Sequence, residues 1–248
     1  MNRRRTSSEN QRTEDRSRQT DAARPRSKFR LPTSVFRPPT SDLRLPASPL
    51  LVLISAPSGG GKTTLCQQLL AARPVMTRAI TCTTRSPRAG EREGVDYYFL
   101  DSKSFVKKVR AGDFLEHATV YGHSYGTLRS EVREQLRRGK DVLLNVDVQG
   151  AATIRARARQ DPELRRALVS VFLTPPSVAT LEERLRRRGT DAAAVIRKRL
   201  GVARQEIAQW KHFDYLLVSA SIQEDLRRML AIVEAEKLRA ARAVPPEF

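Results

Sequence analysis

The sequence predicts an α/β fold in which a parallel sheet is covered by helices on both faces. Three observations carry this. Short, continuous apolar runs alternate with long amphipathic stretches, and strands buried on both faces read as such runs. The first run leads straight into a glycine-rich loop followed by a helical pattern. At 248 residues the chain is long enough to bury a sizeable core.

The elements follow in order. Leu50-Leu51-Val52-Leu53-Ile54 is a buried strand, and Thr64 to Ala72 is a helix. Asp141 to Val146 is a second core strand, apolar apart from Asp141 and Asn145. Ala167 to Leu173 is a third, and Asp214 to Val218 a fourth. Leu181 to Arg188, Ala192 to Ala208 and Gln223 to Arg242 read as helices. Residues 78–138 differ: their strands are short and mixed with Gly, Tyr and charge, which predicts an insertion between the first helix and the second core strand.

Composition narrows the function classes. Lys plus Arg number 46 against 27 Asp plus Glu, a formal charge of +19 that suits a nucleotide, a nucleic acid or another polyanion. Two cysteines, Cys66 and Cys82, exclude a disulfide scaffold and a zinc finger. No apolar run approaches the roughly 18 to 20 residues of a membrane span, and the N-terminus lacks the apolar stretch of a secretory signal. The expectation is a soluble, cytoplasmic protein. Residues 1–47 hold Pro25, Pro32, Pro38, Pro39 and Pro46 and have no structural period, so a disordered basic extension is expected there. A solvated tail, an upstream start and a basic arm on nucleic acid are the alternatives. Glu9, Glu14, Asp15, Asp21 and Asp42 count against a transit peptide.

The run Ala56-Pro57-Ser58-Gly59-Gly60-Gly61-Lys62-Thr63-Thr64 is the phosphate-loop pattern, with Ala56 in place of the first Gly. Its glycines let backbone N–H groups turn inward and, with the following helix N-terminus, form an anion hole. Lys62 can reach the β- and γ-phosphates, and the Thr63 hydroxyl is placed to ligate Mg²⁺. The pattern alone does not separate a kinase from an ATPase or GTPase.

Further on, Arg85 and Arg88 flank Pro87 among hydroxyl side chains. Two guanidinium groups with Tyr hydroxyls can clamp a phosphate monoester; the alternative is two exposed arginines in a basic protein. Glu116 follows Phe114-Leu115. A carboxylate there can accept guanine's adjacent N1–H and N2–H₂ donors, a pair adenine lacks; the alternative is a surface ion pair. Asp147 ends a parallel strand, at the sheet edge where ligands bind, and suits either a water of the Mg²⁺ shell or the acceptor. Arg184 and Arg188 share a helical face, Arg199 lies in the next helix, and Gly189 lies between. Such arginines can close over a triphosphate, or form a solvated basic helix. His117 and His123 read as surface or rim residues.

Taken in this order, these residues resemble guanylate kinase, the bacterial form most closely, from about Leu51 to Arg242. The run Thr81-Cys82-Thr83-Thr84-Arg85-Ser86-Pro87-Arg88-Ala89-Gly90-Glu91 carries the likeness, with Thr81 where the family has Ser. The resemblance implies a P-loop NTPase core (48–77, 139–180 and 209–248), an inserted mixed α/β GMP-binding region (78–138) and a helical lid (181–208). It implies ATP-dependent phosphorylation of GMP, and of dGMP, to the diphosphate, in purine nucleotide metabolism and GMP recycling. Thr81, Arg85, Arg88, Tyr97, Glu116, Tyr125, Thr127 and Asp147 would form the GMP site. Arg85, Arg88, Tyr97 and Tyr125 would hold its phosphate, and Glu116 with Thr81, and Asp147 as a further candidate, would read the base. Residues 56–64 and Arg184 would hold ATP. Lys62, Arg88, Arg188 and Arg199 would be catalytic, and Mg²⁺ would meet Thr63 and, through water, Asp147. Bacterial relatives often self-associate, so a homo-oligomer is left open. Rival readings are a sugar-phosphate kinase and a non-catalytic binding module. Two departures stand out: Asn145 where the family usually has an acid, and Ser219-Ala220-Ser221 where it usually has Asn-Asp-Asp.

Overall fold

Alternating apolar side chains along the core strands feed two separate packing layers, and this determines the architecture. The computed structural model describes residues 48–120, 122–187 and 192–243. All of these fall within one unit of the chain, Leu43–Phe248. The expected tail, together with Arg188 and Gly189, lies outside the described residues.

In chain order the elements are β1 (Leu51–Ser55), α1 (Lys62–Ala72), β2 (Met76–Arg78), β3 (Thr81–Thr83), β4 (Tyr97–Phe99) and α2 (Ser102–Arg110). Then come β5 (Phe114–Val120), β6 (His123–Leu128), α3 (Arg129–Arg137), β7 (Asp141–Asn145), α4 (Val148–Gln160) and α5 (Pro162–Ala167). The chain continues through β8 (Leu168–Thr174), α6 (Val178–Arg187), α7 (Ala193–Ile207), a 3₁₀ turn (Ala208–His212), β9 (Tyr215–Val218) and α8 (Ile222–Lys237).

The main sheet has five parallel strands in the order β2-β7-β1-β8-β9. Val52 and Ile54 point to one face, where α1 and α8 bury Leu65, Leu69, Met229 and Val233. Leu51 and Leu53 point to the other, where α3, α4 and α5 bury Val132, Leu136, Ile154 and Leu164. Each fully buried Leu or Val contributes roughly 1.5–3 kcal/mol relative to exposure. The second sheet, β4-β3-β6-β5, is mixed: β3 runs parallel to β4 and antiparallel to β6. Helix α2 covers one of its faces through Phe105, packed on Cys82 and Phe114. The α6–α7 pair has its own small core of Leu181, Leu185, Ile196 and Ala203.

Several boundaries differ from the sequence expectation. Helix α1 begins at Lys62, not Thr64, because Gly61 in the left-handed region ends the loop there. Helix α8 stops at Lys237 rather than Arg242. Beyond it the chain folds back, and Arg242, 5% exposed, reaches the Glu236 carboxylate and the carbonyls of Arg166 and Leu168. Helices α4 and α5 and strand β2 were not expected. Helix α3, within the expected insertion, buries Val132 and Leu136 in the main core.

Candidate functional site

The loop between β1 and α1 is shaped by its glycines. Gly59 and Gly61 have φ of +88° and +93°, and a Cβ at Gly60 would lie 2.9 Å from the Ala56 Cβ. Lys62 opens α1, and its Nζ donates to the Val146 carbonyl at 2.7 Å, at the end of β7. Burial lowers the Lys62 pKa, and the neighbouring Asp147 charge is the main opposing influence. Thr63 and Thr64 are exposed on the first turn of α1. Glu206, from α7, accepts the Ser58 N–H at 3.3 Å. Burial raises its pKa, against this bond and the Lys62 charge. The loop, Asp147, Lys198, Arg199 and Glu206 line a single cavity of about 620 Å³.

The small sheet gathers a second set of residues. Register pairs Tyr97 with Thr81, Thr81 with Thr127, and Thr127 with Glu116, so the four form one row across four strands. Tyr125, two residues from Thr127, shares their face. A β-bulge between Phe114 and Glu116 places Glu116 in this row. In an unbroken strand residues 114 and 116 would share a face; the extra residue sends Phe114 to the α2 side and Glu116 to the other. The spare residue, Leu115, is inserted into the main-sheet core. Glu116 is 6% exposed and accepts the Thr127 hydroxyl at 2.8 Å. Burial pushes its pKa up; the Thr127 bond opposes this and the Asp147 charge adds to it.

Two links join the sets. Asp147 caps α4, its Oδ1 accepting the Gly150 N–H at 2.7 Å. A Cβ at Gly150 would lie 3.0 Å from Glu116 Oε2, so the missing side chain makes room for the carboxylate. Asn145 is exposed at the end of β7.

Arg85 is held by three partners. Its Nη2 donates to both Glu91 oxygens at 2.8 and 2.9 Å, its Nη1 reaches the Ser86 carbonyl at 2.7 Å, and its guanidinium lies 5.4 Å from the Tyr97 ring centroid. Glu91 and then Tyr125 raise its pKa through hydrogen bonds. Glu91 also takes the Arg88 N–H at 2.8 Å, which leads the causes that lower its own pKa. The Arg88 side chain is exposed.

On α6, the Arg184 Nη2 donates to the Ser219 hydroxyl at 3.2 Å. Arg186 and Arg187 pair with Glu182 and Glu183 one turn earlier, as surface residues. Arg188 lies outside the described residues. His117 and His123 are exposed, as expected.

Sequence reasoning missed Glu91, Gly150 and Glu206. Glu91 closes the quoted arginine motif, and that was its signal. Gly150 follows the Asp147 cap within one turn. Glu206 stands alone on an amphipathic helix and gave none.

Among the described residues no group of three or more His, Cys, Asp or Glu is placed to hold a metal. The exposed Thr63 hydroxyl and the nearby Asp147 fit Mg²⁺ that arrives on a triphosphate, since Mg²⁺ is held by few protein ligands plus phosphate oxygens. Among the same residues no helix is long and apolar enough to cross a membrane.

Comparison with known proteins adds independent support. The family model described as guanylate kinase matches residues 48–236. A guanylate kinase of Coxiella burnetii is 44% identical over 189 residues, 76% of this chain and 88% of that protein. One from Alcanivorax borkumensis is 45% identical over 194 residues, 78% of this chain and 90% of that protein. The crystal structure of guanylate kinase from Anaplasma phagocytophilum superposes with a TM-score of 0.61 at 32% identity, covering 79% of this chain and 90% of that one. With the phosphate loop, the arginine motif and the buried glutamate all inside the matched span, the chain belongs to the guanylate kinase family.

Proposed function

We infer that this chain transfers the γ-phosphoryl group of ATP to the phosphate of GMP, giving ADP and GDP, with dGMP as an alternative acceptor. The observation that carries the reading is the closeness of a buried carboxylate to a phosphate loop: Lys62 Nζ donates to the Val146 carbonyl at 2.7 Å, the next residue, Asp147, accepts the Gly150 N–H at 2.7 Å, and Glu116 Oε2 lies 3.0 Å from where a Gly150 Cβ would stand. Glu116 would take the N1–H and N2–H₂ of guanine, with Thr81 beside it in the same row. Arg85, Arg88, Tyr97 and Tyr125 would hold the GMP phosphate, and Thr127 keeps Glu116 oriented.

A GMP phosphate oxygen attacks the γ-phosphorus, and the bond to the β–γ bridging oxygen breaks. That phosphate has a second pKa near ~6, so it is largely ionised at neutral pH and needs no general base. The chain's own contribution is positioning and charge neutralisation. Lys62, Arg88, Arg188 and Arg199 would supply positive charge, and residues 56–64 with Arg184 would hold the donor. Mg²⁺ on the triphosphate supplies further charge neutralisation; Thr63, and Asp147 through water, would hold it. Helices α6 and α7, as a lid, would exclude water as a competing acceptor. Glu206, on the Ser58 N–H, occupies a donor that a phosphate oxygen would take.

We place the enzyme in the cytoplasm, where free thiols such as Cys66 and Cys82 stay reduced. The net +7 of residues 1–47, from 12 basic and 5 acidic side chains, makes nucleic-acid contact by that segment worth testing through the salt dependence of binding. Self-association is testable by sedimentation. The test of the main reading is a coupled assay of ADP release with ATP and Mg²⁺, comparing GMP, AMP, CMP and UMP. Turnover with GMP alone is expected. Equal turnover with AMP would refute the acceptor assignment.

A further inference from the structure

A second cavity, of about 380 Å³, opens beside Gly59, Gly61 and Thr64 of the phosphate loop. Arg184, Ser219 and Asp225 also line it. Asp225 lies on the core-facing side of α8 with Met229 and Val233 and is 4% exposed. A carboxylate there requires partners. Its Oδ1 accepts the Ala220 N–H at 2.9 Å, and its Oδ2 accepts the Ser219 hydroxyl at 2.8 Å. The Ser219 hydroxyl is the donor in the second bond, because a carboxylate only accepts, and its oxygen in turn takes a hydrogen bond from Arg184. Each Asp225 oxygen therefore retains acceptor capacity, and none of its atoms can donate.

An acceptor-only wall facing the 6-position of a bound purine would discriminate by the substituent there. Adenine offers an amino group there. A 6-oxo purine offers a carbonyl oxygen, which would face the carboxylate as an unpaired like dipole. We propose that Asp225 selects the donor base, accepting a hydrogen bond from the adenine 6-amino group and rejecting 6-oxo purines. This deepens, and rests on, the reading of the chain as an ATP-dependent GMP kinase.

The experiment uses the full chain with GMP as acceptor and γ-labelled donors, reading labelled GDP. ATP is compared with inosine triphosphate, which carries oxygen at position 6, and with purine riboside triphosphate, which carries only hydrogen there. The unaltered enzyme is expected to favour ATP over inosine triphosphate about 100-fold or more in kcat/KM, and over the unsubstituted donor about tenfold. In Asp225→Asn the side-chain amide can donate, and the ATP-to-inosine-triphosphate ratio should fall to within about tenfold. The ratio is the readout because a general loosening of packing lowers both donors alike. An unchanged ratio in the active variant overturns the proposal. So does equal use of ATP and the unsubstituted donor by the unaltered enzyme, a result that does not depend on the variant folding. Transfer from no triphosphate at all would instead defeat the kinase reading, and this proposal with it.

Discussion

Glu116→Gln tests the acceptor site most directly. The glutamine oxygen can still accept the Thr127 hydroxyl, which lies 2.8 Å from Glu116 Oε1, so the local hydrogen bond survives. The other oxygen becomes an NH₂ group and meets a guanine donor head-on. One charge-assisted bond, at roughly 1.5–3 kcal/mol, is lost and a donor–donor contact is added, so the transition state loses about 3–4 kcal/mol. That is a drop of about 10²- to 10³-fold in kcat/KM for GMP. AMP has no donor pair to lose, so its rate should stay nearly constant and selectivity should narrow by the same factor. The assay is steady-state ADP release with GMP and AMP in parallel, with ATP binding measured separately. A variant that keeps its full preference for GMP would show that Glu116 does not read the base.

Stability supplies a second readout with the opposite sign. Burial raises the Glu116 pKa, so the folded state binds that proton more tightly than the unfolded chain does. The cost of the charge is absent below the unfolded value of about 4.3 and present in full above the folded value. Glu116→Gln should therefore raise Tm at pH 7 to 8 and leave it unchanged near pH 4. A carboxylate kept for recognition rather than stability behaves this way.

Three further substitutions have defined outcomes. Thr127→Val removes the bond that favours ionised Glu116, so the acid limb of kcat/KM for GMP should move to higher pH, as a pH–rate profile would show. Glu206→Gln removes a negative charge from the phosphate loop and should tighten ATP binding about tenfold by calorimetry. Because burial raises the Glu206 pKa, ATP affinity of the unaltered protein should improve as pH falls through it, and the variant should lose that component. Gly126→Ala would bring a Cβ to 2.8 Å from a Phe114 ring carbon and 3.1 Å from the Glu116 carbonyl, so a loss of about 1–3 kcal/mol should appear as a lower Tm.

Legibility of the chain followed physical uniqueness. The phosphate loop could be read because glycine is the residue that occupies the conformations of Gly59 and Gly61 without strain. Strands β1, β7 and β8 could be read because both faces are buried. Helix α4 could not: its buried residues are Gly150, Ala151, Ile154 and Ala158, small groups interleaved with arginine that give little apolar period. Strand β2 is three residues long, too short for any period. The end of α8 was misplaced because a basic run extends the helical pattern while Arg242 folds back onto Glu236. The burial of Glu116 was readable after two large apolar residues but its bulge was not, since a bulge depends on the partner strand. Asp225 had a signal that went unread: a carboxylate spaced four before Met229 on the apolar side of a helix.

The bulge in β5 also ties fidelity to thermal robustness. Leu115 anchors the small sheet in the main core, and its neighbour is the carboxylate proposed to tell one purine from another. A truncation at Leu115 would leave a void of the kind that costs roughly 2–5 kcal/mol. It would touch neither substrate. Its first symptom would be errors: AMP accepted more often as temperature rises, while the phosphate loop goes on binding ATP as before.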